Sequence, residues 1–209
     1  MNKLTLAKHG VTAKTPDSIL FGAGTIYKNL KVSADDISGT IVGATSGGNK
    51  LSLASKFKQI DVDGVTVPIK ELEFVEEQEA KMDVNLIESG KDILEMALLT
   101  KPGTSDNTKF DLLELRSVIE ESDYLENIAW VGFTTSNTPM IIILENAICT
   151  SGIEIDSKDQ DGTVIPLTFE ARGDAATSID TLPVKIYLAN DTYGASVANR
   201  LNLENEGEV

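Results

Sequence analysis

Histidine, cysteine and aromatic side chains are scarce in this chain of 209 residues, which has one His, one Cys and 5% aromatic residues. A single cysteine excludes an internal disulfide framework. His9 and Cys149 provide no Cys–His pair with a supporting group and no cluster of transition-metal ligands. We therefore expect no catalytic residue, no bound metal and no cofactor. The low aromatic content also argues against sugar binding.

Long hydrophobic runs are also missing. No segment reaches the 18 or more apolar residues of a membrane span, and MNKLTLAKHG has too few apolar residues for an export signal. We expect a soluble protein that is made and used in a cytoplasm, without a membrane partner.

Two stretches approach known ligand loops, and each lacks required residues. In GATSGGNKLS, residues 43–52, Asn49 separates the second glycine from Lys50, and no helical pattern follows. In DSKDQDG, residues 156–162, alignment on Gly162 leaves the first and twelfth calcium ligands unfilled. Both stretches predict turns.

The net charge of −15 is unevenly distributed, because residues 1–60 have 8 Lys and 3 Asp, whereas residues 61–209 carry a net −20. A chain this acidic does not offer the clustered cations that bind nucleic acid. The opposite charge of the two ends favours head-to-tail contact between copies.

Residues 124–172 predict the central sheet. Met140 to Leu144 is apolar at every position, which indicates a strand covered on both faces. Strands with one apolar side are predicted on both sides of it, from alternation at Ile153 and Ile155 and at Ile165, Leu167 and Phe169. Gly22 and Gly24 in an earlier strand predict a bulge or a close backbone approach.

One helix of about 11 residues is predicted after Ser89, which caps it. Ile93, Leu94, Ala97 and Leu98 form its apolar stripe, and the segment beginning at Lys101 ends it.

Residues 71–86 predict a hairpin with one apolar and one polar face. Leu72 and Phe74 alternate with Glu71 and Glu73 in the first strand. In the second, the apolar Met82, Val84 and Leu86 alternate with Lys81, Asp83 and Asn85.

Nine to eleven strands and one helix predict a mainly β fold, a β-sandwich or half-barrel with one flanking α-helix. We expect an N-terminal arm over residues 1–18, one β domain over 19–189 and a C-terminal extension over 190–209.

Several segments occur in an order that resembles the major tail, or tail tube, proteins of long-tailed bacteriophages. These are ILFGAGTIYKN, GATSGGNKLS leading to VDGV, ESGKDILEMALL, LRSVIEESDYLENIAWVG, IIILENAICTSGIEIDSKDQDG with IPLTFEARGD, and LPVKIYL. The resemblance covers residues 20–190.

The resemblance implies a β-sandwich that assembles into rings, usually hexameric, in which a sheet from each subunit contributes to one continuous β-barrel. Rings stack through the N-terminal arm, long loops and the C-terminal segment, and DNA passes through the channel without specific binding. The implied partners are further copies and the tape measure, distal tail and terminator proteins. The implied location is the virion tail, assembled in the host bacterial cytoplasm.

This hypothesis gives roles to two sets of residues. The polar face of the predicted hairpin would line an acidic lumen that repels DNA, through Glu71, Glu73, Lys81, Asp83 and Asn85. The basic arm would contact the acidic surface of the adjacent ring, through Lys3, Lys8 and Lys14.

Two alternatives remain open. The first is a non-catalytic, adhesin-like β-sandwich that binds a glycan or protein on a cell surface. The second is a hydrolase on a β scaffold, which the single histidine disfavours.

Deletion of residues 1–18 tests the role of the arm. We expect a folded subunit that no longer polymerises, because the basic docking segment is missing. Circular dichroism checks the fold and electron microscopy checks assembly. Filaments formed by the truncated chain would contradict the stacking role.

Overall fold

The computed structural model describes residues 9–34, 36–156, 159, 162–176, 179–190 and 193. The fold is mainly β, because 46% of the described residues lie in strands and 10% in helices, so strands supply most of the core. The strands are β1 Leu20–Val32, β2 Ile37–Ile41, β3 Lys50–Gln59, β4 Glu73–Leu86, β5 Thr100–Gly103, β6 Leu112–Leu115, β7 Leu125–Thr134, β8 Pro139–Cys149, β9 Ile165–Glu170 and β10 Val184–Leu188. The helices are α1 Thr15–Ser18 and α2 Lys91–Ala97, and short 3-10 turns span Lys70–Leu72 and Glu121–Asp123.

Eight strands form an antiparallel half-barrel sheet in the order β2-β1-β7-β8-β9-β4-β3, with β10 also paired to β8. β5 and β6 form a separate two-stranded sheet. The prediction of a mainly β chain with a half-barrel sheet is confirmed at this level.

β8 joins the two parts of the half-barrel. It pairs with β7 from Pro139 to Ala147 and with β10 over Met140–Leu144, then with β9 at Ile148 and Cys149. Asn146, with φ of 49°, lies where the pairing changes. Residues 141–144 are at most 6% exposed, which confirms the prediction that this strand is covered on both faces.

The main core lies inside the curve of the sheet. Alternate residues of β4 and β9 pack there against β1, β7, β8 and one side of α2. The largest fully buried side chains include Phe169, Ile26, Met82, Leu86, Ile128 and Leu144. A second, smaller cluster forms on the opposite face of β7 and β8, around Ala129, Ile141 and Ile143.

The glycines of β1 mark a bulge, as predicted. The register of β1 against β7 shifts between Phe21 and Thr25. Gly24 has φ of 72°, and a Cβ there would lie 2.3 Å from Nε1 of Trp130. The Trp130 indole uses this space, and its Nε1 donates to the Ala23 carbonyl at 2.9 Å.

Two predictions about strands were wrong. Residues 73–86 form one continuous strand that pairs with β3, so the predicted hairpin does not exist. Ile153 and Ile155 lie outside any strand, and Ile155 is 59% exposed.

The helix α2 is present but has seven residues, and Gly90 rather than Ser89 is its N-cap. It ends early because β5 must already be extended at Thr100 to pair with β6. Ile93 and Ala97 are buried as expected.

In the predicted arm, residues 15–18 form the short helix α1, with Pro16 in its first turn, where proline costs no hydrogen bond.

Asn127 replaces missing backbone pairing between β1 and β7. The regular ladder stops at Lys28 and Ile128, and Asn29 has φ of 55°. Oδ1 of Asn127 accepts from the Leu30 amide at 2.8 Å, and its Nδ2 donates to the Leu30 carbonyl at 3.1 Å. Asn127 is the buried polar residue of the described core, at 7% exposure.

Replacement of Asn127 by alanine leaves both backbone groups of Leu30 buried without these partners. We expect a loss of roughly 2–4 kcal/mol in the free energy of unfolding. Urea unfolding measures it, with Asn107→Ala in an exposed turn as the control. Equal losses in the two variants would contradict this role for Asn127.

Candidate functional surface

The outward face of β3, β4 and β9 is strongly charged. Ala80, Met82 and Val84 are buried, so the residues that alternate with them on β4 point away from the core. Opposed residues of β3 and β9 share that side, as in any antiparallel pair. We call this surface the charged face, and it comprises Lys50, Lys56, Lys58, Glu76, Glu77, Glu79, Lys81, Asp83, Glu170 and Arg172.

The charge of this face is balanced, with five basic and five acidic side chains. The carboxylate-rich face expected from the sequence is therefore not what these three strands present. The net charge of −15 resides elsewhere in the chain.

Ion pairs run across the strands of the charged face. Lys56 Nζ on β3 lies 2.6 Å from Glu77 and 3.3 Å from Glu79 on β4. Lys81 Nζ lies 3.4 Å from both Glu79 and Glu170.

The series of ion pairs ends at two further pairs. Arg172 contacts Glu170 at 2.7 Å, and Lys58 contacts Glu76 at 2.8 Å. The series thus spans three strands.

These contacts shift the pKa values of Glu79, Glu170 and Lys81. Hydrogen bonds from Lys56 and then Lys81 lower the pKa of Glu79. Burial by itself would raise the pKa of Glu170, but Arg172 and Lys81 outweigh it and the pKa lies below its ordinary value. The pKa of Lys81 is raised by Glu170 and Glu79. All these groups are charged at neutral pH.

The remaining polar residues of β4 are held by hydrogen bonds. Asp83 accepts from the Thr168 hydroxyl at 2.8 Å, and the Asn85 amide donates to the Gly48 carbonyl at 2.8 Å. Lys81, Asp83 and Asn85, three of the residues assigned to the lumen, thus share one side of the sheet.

Glu71 and Glu73 do not join them. Glu71 lies in a 3-10 turn before the strand. The β3–β4 register shifts between Lys56 and Phe57, which leaves Glu76 as an extra residue on β4. Beyond this bulge, Glu73 lies opposite Gln59. Both residues are on the side of the sheet opposite the charged face. Phe74 opposes Lys58 on the charged side and is 47% exposed, contrary to the predicted apolar face.

β3 and β4 form a two-stranded ribbon, and the end of this ribbon near the connection between them carries exposed apolar side chains. We call residues 57–75 the ribbon tip. Phe57 is 69% and Val67 67% exposed, and the other exposed apolar residues here are Ile60, Val62, Val65, Phe74 and Val75. These side chains form an exposed apolar patch at the end of the two strands.

Five charged residues of this face were not among the sites predicted from the sequence: Lys56, Glu77, Glu79, Glu170 and Arg172. Lys56 and Lys58 alternate on β3 opposite an acidic segment of β4, and this complementarity would have indicated their pairing. Of the three lysines predicted to contact an adjacent ring, Lys14 is exposed beside α1, and Lys3 and Lys8 lie outside the described residues.

One cavity opens at the end of the half-barrel, between β1, the segment before β3 and Trp130. Its volume is about 460 Å³, and its lining is mostly apolar. Asn49 Nδ2 donates to the Ala23 carbonyl at 3.3 Å, while Oδ1 is buried without a hydrogen-bond partner. Gly47 and Gly48, both with positive φ, form a turn here, and strand β3 follows it.

Other sites were sought in the described part of the chain. No group of three or more His, Cys, Asp or Glu residues there could hold a metal ion. Among the same residues, no helix has the length and apolar content needed to cross a membrane. Cys149 is free and half-buried, with Sγ 3.6 Å from the Ser151 hydroxyl. The stretch 156–162 lies largely outside the described residues.

No protein-family model matches the chain, and no curated protein matches it either.

Glu170→Gln tests the ion pairs of the charged face. A carboxylate with a lowered pKa in the fold stabilises above the ordinary pKa, and this stabilisation is lost as pH falls through the lowered value. We expect the variant to be less stable than the parent by about 1 kcal/mol at pH 7. The difference should shrink below about pH 4–5.

Urea unfolding from pH 7 to pH 3 measures this difference. Glu126→Gln is the control, because Glu126 is 60% exposed and 3.8 Å from Lys31. A Glu170→Gln deficit that stays constant with pH would contradict the assignment.

Proposed function

We propose that this chain is a structural, non-catalytic subunit of a bacteriophage tail tube. In this proposal each half-barrel is a β-sandwich, copies close into rings, and the rings stack into a hollow conduit for DNA. The charged face, including Lys81, Asp83 and Asn85, lines the channel.

The observation that carries the proposal is an open sheet edge next to a polar face. β3 ends the sheet, and none of the described strands pairs with its outer edge over Lys50–Gln59. Such an edge exposes unpaired backbone groups and readily accepts another strand. Ring closure by further copies satisfies these groups and leaves the charged face toward water.

The ribbon tip supports stacking. Phe57 and Val67 are too exposed to contribute to the core of one subunit, and contact with an adjacent ring would remove them from water. The ordered resemblance of segments 20–190 to tail tube proteins points the same way.

The balance of charges on the face fits passage of DNA. Cations that are already paired with carboxylates release few counterions when phosphate approaches, so the face gains little from binding DNA. The proposed partners are further copies, in hexameric rings, with tape measure, distal tail and terminator proteins. The proposed location is the virion tail.

Electron microscopy of the purified, concentrated protein tests the function. We expect rings or hollow filaments, because the open edge and the ribbon tip gain partners only in the assembly. Persistent monomers at every concentration would contradict it and favour the adhesin-like alternative.

Phe57→Asp provides a sharper arm of the same experiment. Phe57 is 69% exposed, so we expect a folded subunit whose stacking is impaired by a charge placed in the contact. Thr108→Asp, on an exposed turn outside the ribbon tip, is the control. Normal filaments from the Phe57→Asp protein would remove the tip from the contact.

A further inference from the structure

Three cations of the charged face form a row across β3, β4 and the end of β9, and carboxylates separate them. We call Lys56, Lys81 and Arg172 the cation row, and Glu77, Glu79 and Glu170 the guard carboxylates. Each cation lies within 3.4 Å of at least one guard carboxylate.

The pairing is shared along the row. Glu79 contacts both Lys56 and Lys81, at 3.3 and 3.4 Å. Glu170 contacts both Lys81 and Arg172, at 3.4 and 2.7 Å. Hydrogen bonds from the Thr150 hydroxyl at 3.2 Å and from Arg172 further fix Glu170.

A phosphate that approaches this row meets as many negative as positive charges. Binding of DNA by cations draws its free energy mainly from counterions released when phosphates are neutralised. Here the cations are neutralised within the protein. The displaced carboxylate would also remain within a screening length of about 8–10 Å and repel the phosphate.

We infer that the guard carboxylates prevent the cation row from binding DNA, and that the row would bind DNA without them. The cations tie three strands together, and the carboxylates prevent the same cations from retaining DNA. The inference rests on the proposed function for the choice of DNA as the polyanion. This inference differs from a general repulsion of DNA by net negative charge, because it assigns the lack of DNA binding to three particular ion-paired carboxylates.

The test is the triple variant Glu77→Gln, Glu79→Gln and Glu170→Gln, which keeps side-chain size and removes three negative charges. Binding of a fluorescein-labelled 20-bp DNA duplex is measured by anisotropy at 50 and 200 mM NaCl. We expect no saturable binding by the parent. The variant should bind with an affinity that falls roughly 40-fold between the two salt concentrations, as for three neutralised phosphates.

The matched control is Glu114→Gln, Glu126→Gln and Glu145→Gln. It removes the same charge and also frees three cations, Lys101, Lys31 and Lys185, which lie outside the charged face. We expect it to bind at least tenfold more weakly than the triple variant. Equal binding would overturn the inference, because net charge alone would then explain the gain.

Binding by the parent, or no binding by a folded triple variant, would also overturn it. Circular dichroism checks the fold. If the triple variant is unfolded, the single variants Glu79→Gln and Glu170→Gln replace it, and each should bind more tightly than Glu126→Gln. Binding is measured on dispersed subunits, and filaments are scored separately by electron microscopy. A failure to assemble therefore counts against the tube, and a failure of the variant to bind counts against the guard carboxylates.

Discussion

The architecture depends on the burial of β8 on both faces. Residues 141–144 separate the main core from the smaller cluster on the opposite face, and the strand exchanges its neighbours near Asn146. Because β8 pairs first with β7 and β10 and then with β9, it fixes the curvature that brings β4 opposite β1. The apolar sides of these strands therefore meet inside the curve, and the charged side of β4 can only face outward.

On that outward side, the ion pairs between strands affect both the stability of the fold and the electrostatic potential of the surface. Cross-strand ion pairs at such exposure each contribute little stability, on the order of 0–1 kcal/mol. Their larger effect is on the potential of the surface, since Lys56 and Lys81 each contact two carboxylates. A face of this kind is strongly hydrated without being strongly attractive to either sign of charge, which is compatible with the proposed channel wall.

Much of the fold follows from local patterns, and the candidate surface follows from them only in part. The uniform apolar run of β8 and the alternation of β9 predict buried strands correctly. A strand buried on both faces has consecutive apolar residues, and a strand buried on one face has alternate apolar residues. Ile153 and Ile155 show the same alternation without pairing to any described strand. The contacts of Glu170 join strands that are distant in sequence, so spacing alone cannot reveal them. The sequence also does not reveal that the alternation of side chains between the two faces changes at Glu76, because this bulge depends on the register between β4 and β3.

That extra residue at Glu76 restricts how the ribbon can vary in length. Between the bulge and the core, a change of one residue in either strand would exchange the charged and apolar sides beyond it, unless another bulge absorbed the change. A change of two residues keeps both sides as they are. The turn over residues 60–72 has no such restriction, because none of it lies in a strand. Variation among related chains should therefore accumulate at the outermost end of the ribbon, where a new sequence can select a new neighbour without disturbing the sheet.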